Sequence, residues 1–428
     1  MNTKRRAERA AVNGRVWRLT PVELGALLLL LNAGLWGAAA VNIATPGSKA
    51  RSGLIKGADF VHFYTLGSIA AERRGDLLYD AAAQHVEQVR LVPTSEDDWH
   101  VPANGPQMAL LFAPLARLSY LWAAAVWALV TALVYAFCVW VVWRRCVSLH
   151  QHRLLAALGA SAFPPFWYLV LYGQTSALPL LCLTCGWLAL RANRKWWAGV
   201  ALGSLIIKPQ LGLAVAAVML GRREWRIVGG AMAAIAFQWG IAVAAVGTGP
   251  LRDHIRLLLE GPRLAGQVEP VLHLFKAHSL RSFWALLCPG SSVALALYLL
   301  TGAAVLVITV LLWRESVPLD IRYSALLLAT VLVAPHMLVY ELVQLAPAFL
   351  LAAERLQQTR PKPQRAFVGL LCLAYIFPLA GGVTRATHIQ FSVPVFLGWL
   401  IVLYAVRVSP DLRVRPIEGA LRQSGVSQ

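Results

Sequence analysis

The sequence predicts an all-α polytopic membrane protein, and three observations carry that prediction. Of 428 residues, 58% are hydrophobic and 14% charged, where a soluble domain carries about 25% charged residues; mean hydropathy is +0.61. Apolar runs of span length recur along the chain,. Between them stand short clusters of Arg and Lys, the residues that set membrane topology. Roughly ten to twelve transmembrane helices are expected, several of them shorter than the ~30 Å hydrocarbon core.

The net charge of +19 therefore belongs to topology. Neither zinc-finger spacing nor the basic face of a soluble domain is present, so no nucleic-acid partner is expected. Most of the six cysteines (Cys138, Cys146, Cys182, Cys185, Cys288 and Cys372) lie in apolar runs, where a thiol behaves as a small hydrophobe. Cys182 and Cys185 form a CxxC without flanking ligands, so no metal or redox cofactor is expected.

The N-terminus carries Lys4, Arg5, Arg6, Arg9, Arg15 and Arg18 ahead of an apolar run from Val22 to Ala44. That run would be roughly 35 Å long as a helix, too long for a cleaved signal, so it reads as an uncleaved first span with a cytoplasmic N-terminus. Residues 45–106 then form a first extracytoplasmic loop of mixed charge, with short helices expected near Thr65–Arg74 and Ala81–Leu91 and a polar stretch PTSEDDWHVPANGP after them. A loop of this length with its own helices points to function. Ala109–Leu118 is too short to span and reads as interfacial or re-entrant, and Leu121–Trp143 returns to Arg144 and Arg145,.

Leu154–Leu171 goes out again, bent at Pro164 and Pro165, and Ala177–Leu190 comes back after the turn Tyr172-Gly173-Gln174-Thr175-Ser176. Trp196–Gly221 has basic clusters at both ends, Arg194 and Lys195 before it and Arg222, Arg223 and Arg226 after it. Two half-length helices meeting at Lys208-Pro209-Gln210 keep both clusters inside, because Pro209 breaks a helix and Lys208 is costly in lipid. Lys208 is therefore expected to line a cavity open to the outer side. Ile227–Val246 leads to a second extracytoplasmic loop, residues 247–283, biased to basic residues: Arg252, Arg256, Arg263, Lys276 and Arg281, with His254, His273 and His278. Val293–Trp313, Tyr323–Ala334, Tyr340–Ala353, Ala366–Ala380 and Phe391–Val406 complete the spans, with a short outer turn at Gly381–His388. Residues 1–408 thus read as one polytopic domain and 409–428 as a basic cytoplasmic tail, expected to be disordered.

The polar residues at membrane depth or edge are Asp59, His62, Gln174, Lys208, Gln210, His336 and Glu341. All fall on the outer side in this topology, as one outward-facing site requires, and intramembrane polar groups of this kind are functional candidates by default. Asp59, followed at once by His62 and Tyr64, is placed to act as a general base towards a hydroxyl. Against this stands the ordinary use of such an Asp as a helix cap, and of a Gln beside a Gly or Pro kink in satisfying loose backbone.

Five ordered pieces resemble glycosyltransferase family 87, whose characterised members use polyprenyl-phosphate-mannose and adopt the GT-C membrane fold. They are Asp59-Phe60 with Phe63-Tyr64 and Leu78-Tyr79-Asp80; Pro106 to Ala116; Gly173-Gln174-Thr175-Ser176; Gly199 to Gln210; and Ala334-Pro335-His336 followed by Tyr340. The resemblance implies a mannosyltransferase-like hexosyltransferase, with an acidic base in the first outer loop that maps onto Asp59. Relatives often carry Asp after the Tyr of the His motif, where this chain has Glu341. On that basis Asp59 and His336 are the expected catalytic residues. Lys208, Gln210, Gln174, Tyr64, His62, Glu341, Arg252, Arg256, Lys276 and Arg281 are expected to bind substrate or lipid phosphate. No metal site is expected, since Glu96-Asp97-Asp98 reads as a solvated loop. The expected partners are a polyprenyl-phosphate sugar, a lipid or glycan acceptor, and the lipids of the cell membrane. The rival class is a transporter or flippase, which would also need broken helices near the midplane; against it, no matching broken helices pair up in two halves of the chain, and the polar groups gather towards one side. A lipid-A-type aminosugar or O-antigen transferase would be the same class with another acceptor.

Overall fold

The computed structural model describes residues 20–97, 104–268, 274–357 and 361–407. The basic N-terminal cluster, Asp98, His273 and the tail with Arg413, Arg415 and Arg422 lie outside the described residues, as does the side chain of Arg263. Among the described residues the chain is all-helical, with two isolated β-bridges.

Helix α1 (Pro21–Ile43) starts on a reciprocal cap, in which the Thr20 hydroxyl accepts from Glu23 N–H and the Glu23 carboxylate accepts from Thr20 N–H at 2.7 Å,. The first polar segment follows, with α2 (Phe60–Ala71), α3 (Ala81–Leu91) and α4 (Pro106–Phe112). Next come α5 (Tyr120–Trp143), the bent pair α6 (Arg153–Ser161) and α7 (Pro164–Tyr172), α8 (Ala177–Arg191), α9 (Lys195–Gly203), α10 (Pro209–Gly221) and α11 (Trp225–Val246). The rest is α12 (Thr248–Val268), α13 (Leu280–Leu287), α14 (Ser292–Leu312), α15 (Leu319–Val333), α16 (Leu345–Leu356), α17 (Pro361–Ile376), α18 (Gly381–Thr387) and α19 (Ser392–Val406).

The sequence places two helix breaks on prolines, at Pro164-Pro165 and at Pro209, and the structure keeps both there. α6 and α7 meet at 47° around Pro164-Pro165. The single apolar run from Trp196 to Gly221 is indeed two helices: α9 passes into a 3-10 turn at Ser204–Ile207, Lys208 is extended, and Pro209 opens α10. Proline excludes the helical conformation at the residue before it and suits the first helical position after it. Past its charged first turn α15 is mostly apolar, and it is buried along nearly its whole length, as suits a central helix. It packs against α10, α13, α14, α16 and α19.

Four described helices, α1, α5, α11 and α14, are long and apolar enough to cross a membrane, or six with each bent pair taken as one span. The larger number expected from sequence took in the shorter apolar helices, such as α8, α10 and α19. Described basic residues from several of the clusters meet at one end of the bundle. There Arg355 Nε donates to Asp320 at 3.0 Å, Arg191 approaches the same carboxylate at 3.7 Å, Ser148 donates to Glu354, and Lys195 pairs with Glu224 at 3.0 Å.

Three expectations are corrected. The helix expected near Thr65–Arg74 begins at Phe60, because Phe60, Phe63 and Tyr64 pack inward with Phe112 and Tyr120 and carry the helix back to Asp59. Residues 247–283 are not a loop: most of the stretch is α12 and the start of α13, and α12 lies against α4 and the 75–77 turn. The expected turn at Gly381–His388 is the short helix α18.

The polar segment after α1 is tied by charge. Glu87 is almost wholly buried, and Arg74, Arg90 and Ser68 all donate to its carboxylate. Burial pushes this acid up, but those three hydrogen-bond donors outweigh it and hold it down to about 2,. A depressed acid stabilises the fold fully above its unfolded value of 4.5 and loses that contribution as pH falls towards 2,. The melting temperature of the purified protein is expected to fall as pH drops from about 4.5 towards 2,. In Glu87→Gln that pH dependence should shrink; an unchanged slope would remove Glu87 as its source.

Candidate active site

Asp59 sits at the N-cap position of α2 but makes no side-chain cap hydrogen bond. The simple capping role is therefore not how this carboxylate is used. Its backbone N–H donates to Tyr172 O at 3.0 Å. The turn before it is pinned by Tyr120, whose hydroxyl donates to the carbonyls of Lys56 (2.8 Å) and Gly57 (3.1 Å).

Gln174 reaches this carboxylate from the end of α7. Gly173 closes that helix in the left-handed region, φ +66°, which glycine enters without a Cβ penalty. A Cβ there would stand 2.6 Å from Phe60 Cβ. Gly173→Ala should therefore cost about 1–2 kcal/mol in backbone strain alone and push Phe60, hence Asp59, out of place. Turnover should fall by about 100-fold, the scale of a ~1 Å misplacement, with the protein still folded by size-exclusion chromatography. Near-normal turnover would mean that the α7–α2 contact does not position the site.

Gln174 Nε2 donates to Asp59 Oδ2 at 2.7 Å and lies 3.0 Å from the Tyr340 hydroxyl. Its Oε1 accepts from Lys208 Nζ at 3.4 Å. Lys208 also donates to Ser176 Oγ at 3.0 Å and pairs with Glu341 Oε1 at 3.1 Å, and its ammonium lies 5.4 Å from the Tyr340 ring centre. Glu341 Oε2 accepts Leu338 N–H at 2.9 Å, and Gln344 donates to Ser176 O at 2.8 Å. One connected chain thus runs Asp59–Gln174–Lys208–Glu341, built from four separate stretches of sequence.

Lys208 reaches this chain because α9 and α11 pack at backbone contact. A Cβ on Gly199 would lie 2.1 Å from Ile227 O, and one on Gly203 2.4 Å from Ala231. Small residues four apart allow that approach. The expectation that Lys208 faces an open cavity is corrected: it is 8% exposed, enclosed by Gln174, Ser176, Glu341 and Tyr340. A buried ammonium must be paired and hydrogen-bonded, and Glu341 meets that need.

The other expected residues divide. His336 is half-buried in the Ala334–Leu338 segment. That segment pairs with the start of the α13 region: Ala277 and Leu338 form an antiparallel bridge, and His278 N–H donates to Met337 O at 2.7 Å. The pairing brings Arg281, which donates to Pro335 O at 3.3 Å, next to the His336 position, while Lys276 is exposed at the start of the paired stretch. Arg252 and Arg256 are exposed on α12, and no contact among the described residues ties them to the Asp59 chain. Gln210 is half-buried one residue past the bend, and His62 is half-buried on α2. Tyr64 is buried; its hydroxyl donates to Leu118 O at 2.6 Å, so it braces α2 against the chain just ahead of α5. His254 and His278 add no charge at neutral pH. Burial pushes His254 down to about 4 and His278 to about 3.

Tyr340, Ser176 and Gln344 were not among the expected site residues, although Tyr340 and Ser176 lie in the resembling motifs. Their part becomes visible only when distant segments meet. Two carboxylates occupy the site and differ in surroundings. Glu341 is 2% exposed and ion-paired, whereas Asp59 is half-buried. Only Asp59 is accessible to a reacting hydroxyl.

A family model described as Glycosyltransferase family 87 matches residues 103–339, more than half of the chain. The matched stretch contains Gln174, Ser176, Lys208 and His336; Asp59 precedes it, and Tyr340 and Glu341 follow it. Neither the curated proteins nor the solved structures yield a match.

Proposed function

The chain belongs to glycosyltransferase family 87, and from that premise we propose that it transfers a hexose, mannose foremost, from a polyprenyl-phosphate sugar to a hydroxyl of a lipid or glycan acceptor. A membrane glycosyltransferase acting between a sugar donor and an acceptor follows from the family and the apolar helices together. The finer reading rests on one observation: a half-exposed carboxylate, Asp59, is held by Gln174 and linked through it to a buried Lys208–Glu341 pair.

In this reading Asp59 takes the proton of the acceptor hydroxyl as its oxygen bonds to the anomeric carbon. The bond from that carbon to the phosphate oxygen breaks, and its electron pair leaves with the lipid phosphate. Attack and departure on opposite faces invert the configuration, through an oxocarbenium-like transition state by analogy with glycoside hydrolysis. The leaving phosphate meets His336, Arg281 and Lys276, which charge-assisted hydrogen bonding suits to that task. Lys208, enclosed and paired, instead holds Gln174 and through it Asp59. The transfer is read as metal-independent. The basic end of the bundle is read as cytoplasmic, with both termini on that side, and the site as extracytoplasmic in the cell membrane.

The test is transfer from polyprenyl-phosphate-mannose by the purified protein in nanodiscs, with and without EDTA. Transfer that survives the chelator is expected; loss with EDTA, restored by a divalent cation, would sink the metal-independent reading. Failure with mannose, glucose and arabinose donors alike would sink the donor assignment. For sidedness, an impermeant thiol reagent applied to cells should label Thr94→Cys and spare Arg222→Cys. The opposite labelling would place the site in the cytoplasm.

A further inference from the structure

The end of α9 remote from Lys208 carries a second constellation. α9 and α11 run in the same direction, since Gly199 meets Ile227 and Gly203 meets Ala231. Their N-termini therefore lie side by side at the basic end, where a Cβ on Gly230 would stand 2.2 Å from Trp196 O. An open cavity of about 480 Å³ lies there, lined by Arg194, Lys195, Trp196, Trp197 and Arg226. Its volume is within the range of small-molecule sites.

The charges around this cavity are not balanced. Lys195 pairs with Glu224 at 3.0 Å, and Glu315 approaches it at 3.9 Å. Arg194 and Arg226 are exposed, and neither has a carboxylate within 4.0 Å among the described residues. Two guanidinium groups, each able to grip phosphate with two parallel donors, thus face one cavity beside two helix N-termini, whose dipoles also favour anions.

The apolar surroundings say what kind of phosphate fits. Trp196 and Trp197 are 48% and 59% exposed, and exposed indoles at a span's end sit at headgroup level. Further along α11, Met232 and Phe237 are also largely exposed, a lipid-facing track leading away from the cavity. We propose that the cavity binds the phosphodiester headgroup of an anionic glycerophospholipid, with Arg194 and Arg226 holding the phosphate and the acyl chains lying along α11. Basic pockets between membrane helices are suited to such headgroups. This site is independent of the glycosyl-transfer reading, because none of its residues belongs to the Asp59 chain.

The test compares the wild-type protein with the double variant Arg194→Gln/Arg226→Gln and with Arg194→Lys/Arg226→Lys. Each is purified from detergent containing equal amounts of phosphatidylglycerol and phosphatidylcholine, and the retained lipid is read by native mass spectrometry. The wild type should retain phosphatidylglycerol over phosphatidylcholine by about tenfold or more, the order expected of two basic side chains at a membrane surface. The Gln variant should lose that preference and the Lys variant should keep most of it. Equal retention of both lipids by the wild type, or an undiminished preference in the Gln variant, would overturn the proposal. A parallel melting series adds phosphatidylglycerol or inorganic phosphate to the wild type. Stabilisation by phosphatidylglycerol alone supports a lipid; equal stabilisation by phosphate assigns a free anion and overturns it.

Discussion

Asp59→Asn is expected to lower turnover by about 10²–10⁴-fold, the range that a positioned general base contributes. At 1000-fold the loss corresponds to about 4 kcal/mol of transition-state stabilisation. The substitution removes the proton acceptor and little else. An asparagine oxygen can still accept from Gln174 Nε2, which now lies 2.7 Å from the carboxylate, and the backbone N–H can still donate to Tyr172. The effect should therefore fall on kcat, with donor KM, expression and melting temperature near those of the wild type. Asp59→Glu tests the geometry: it keeps the charge but moves it by a methylene, and a partial loss is expected. Wild-type turnover in Asp59→Asn would take Asp59 out of the base role. Glu341 could not replace it, being buried and bonded to Lys208 and to the Leu338 N–H.

The breaks in the bundle were legible because proline acts locally. Pro164-Pro165 and Lys208-Pro209 could be placed from sequence, and the structure bends at both. The Lys208 hairpin followed from charge, since only two half-length helices put Arg194 and Arg222 on one side. The α12 region was missed for a physical reason. Its basic and histidine residues suggested a loop between spans, but an amphipathic helix keeps charge on one face and buries the other, here with His254 wholly buried and Arg252 and Arg256 exposed. The least legible feature was the pairing inside the site. Lys208 and Glu341 are 133 residues apart, and Gln174 and Tyr340 are 166 apart. Sequence could offer Lys208 as a cation for phosphate, but it could not show that Glu341 already neutralises it.

That pairing makes the second large effect a matter of stability. Glu341→Gln is expected to destabilise the protein by about 3–5 kcal/mol, the cost of leaving one member of a buried ion pair without its partner. The Lys208 side chain is 9% exposed and that of Glu341 3%, so water cannot replace the lost carboxylate. Lys208→Met should destabilise for the mirror-image reason, stranding the carboxylate with only the Leu338 N–H as a donor. The double variant Lys208→Met/Glu341→Gln carries no buried charge, and apolar or neutral replacement of a whole buried pair is often close to neutral. It should regain most of the lost stability, so the two single effects will not add. Activity should not follow stability. With Lys208 gone, Gln174 Oε1 keeps the Thr175 N–H at 3.2 Å but loses its charged donor, so the amide that orients Asp59 is held less firmly. The double variant is thus expected to melt near the wild type yet turn over more slowly, with the loss in kcat. Recovery of both stability and turnover would show that the pair serves only the fold. Single variants that melt as the wild type does would show that the pair is not closed in the membrane. The predicted split ties Lys208 to the reaction through the position it gives Gln174, at one remove from the reacting atoms.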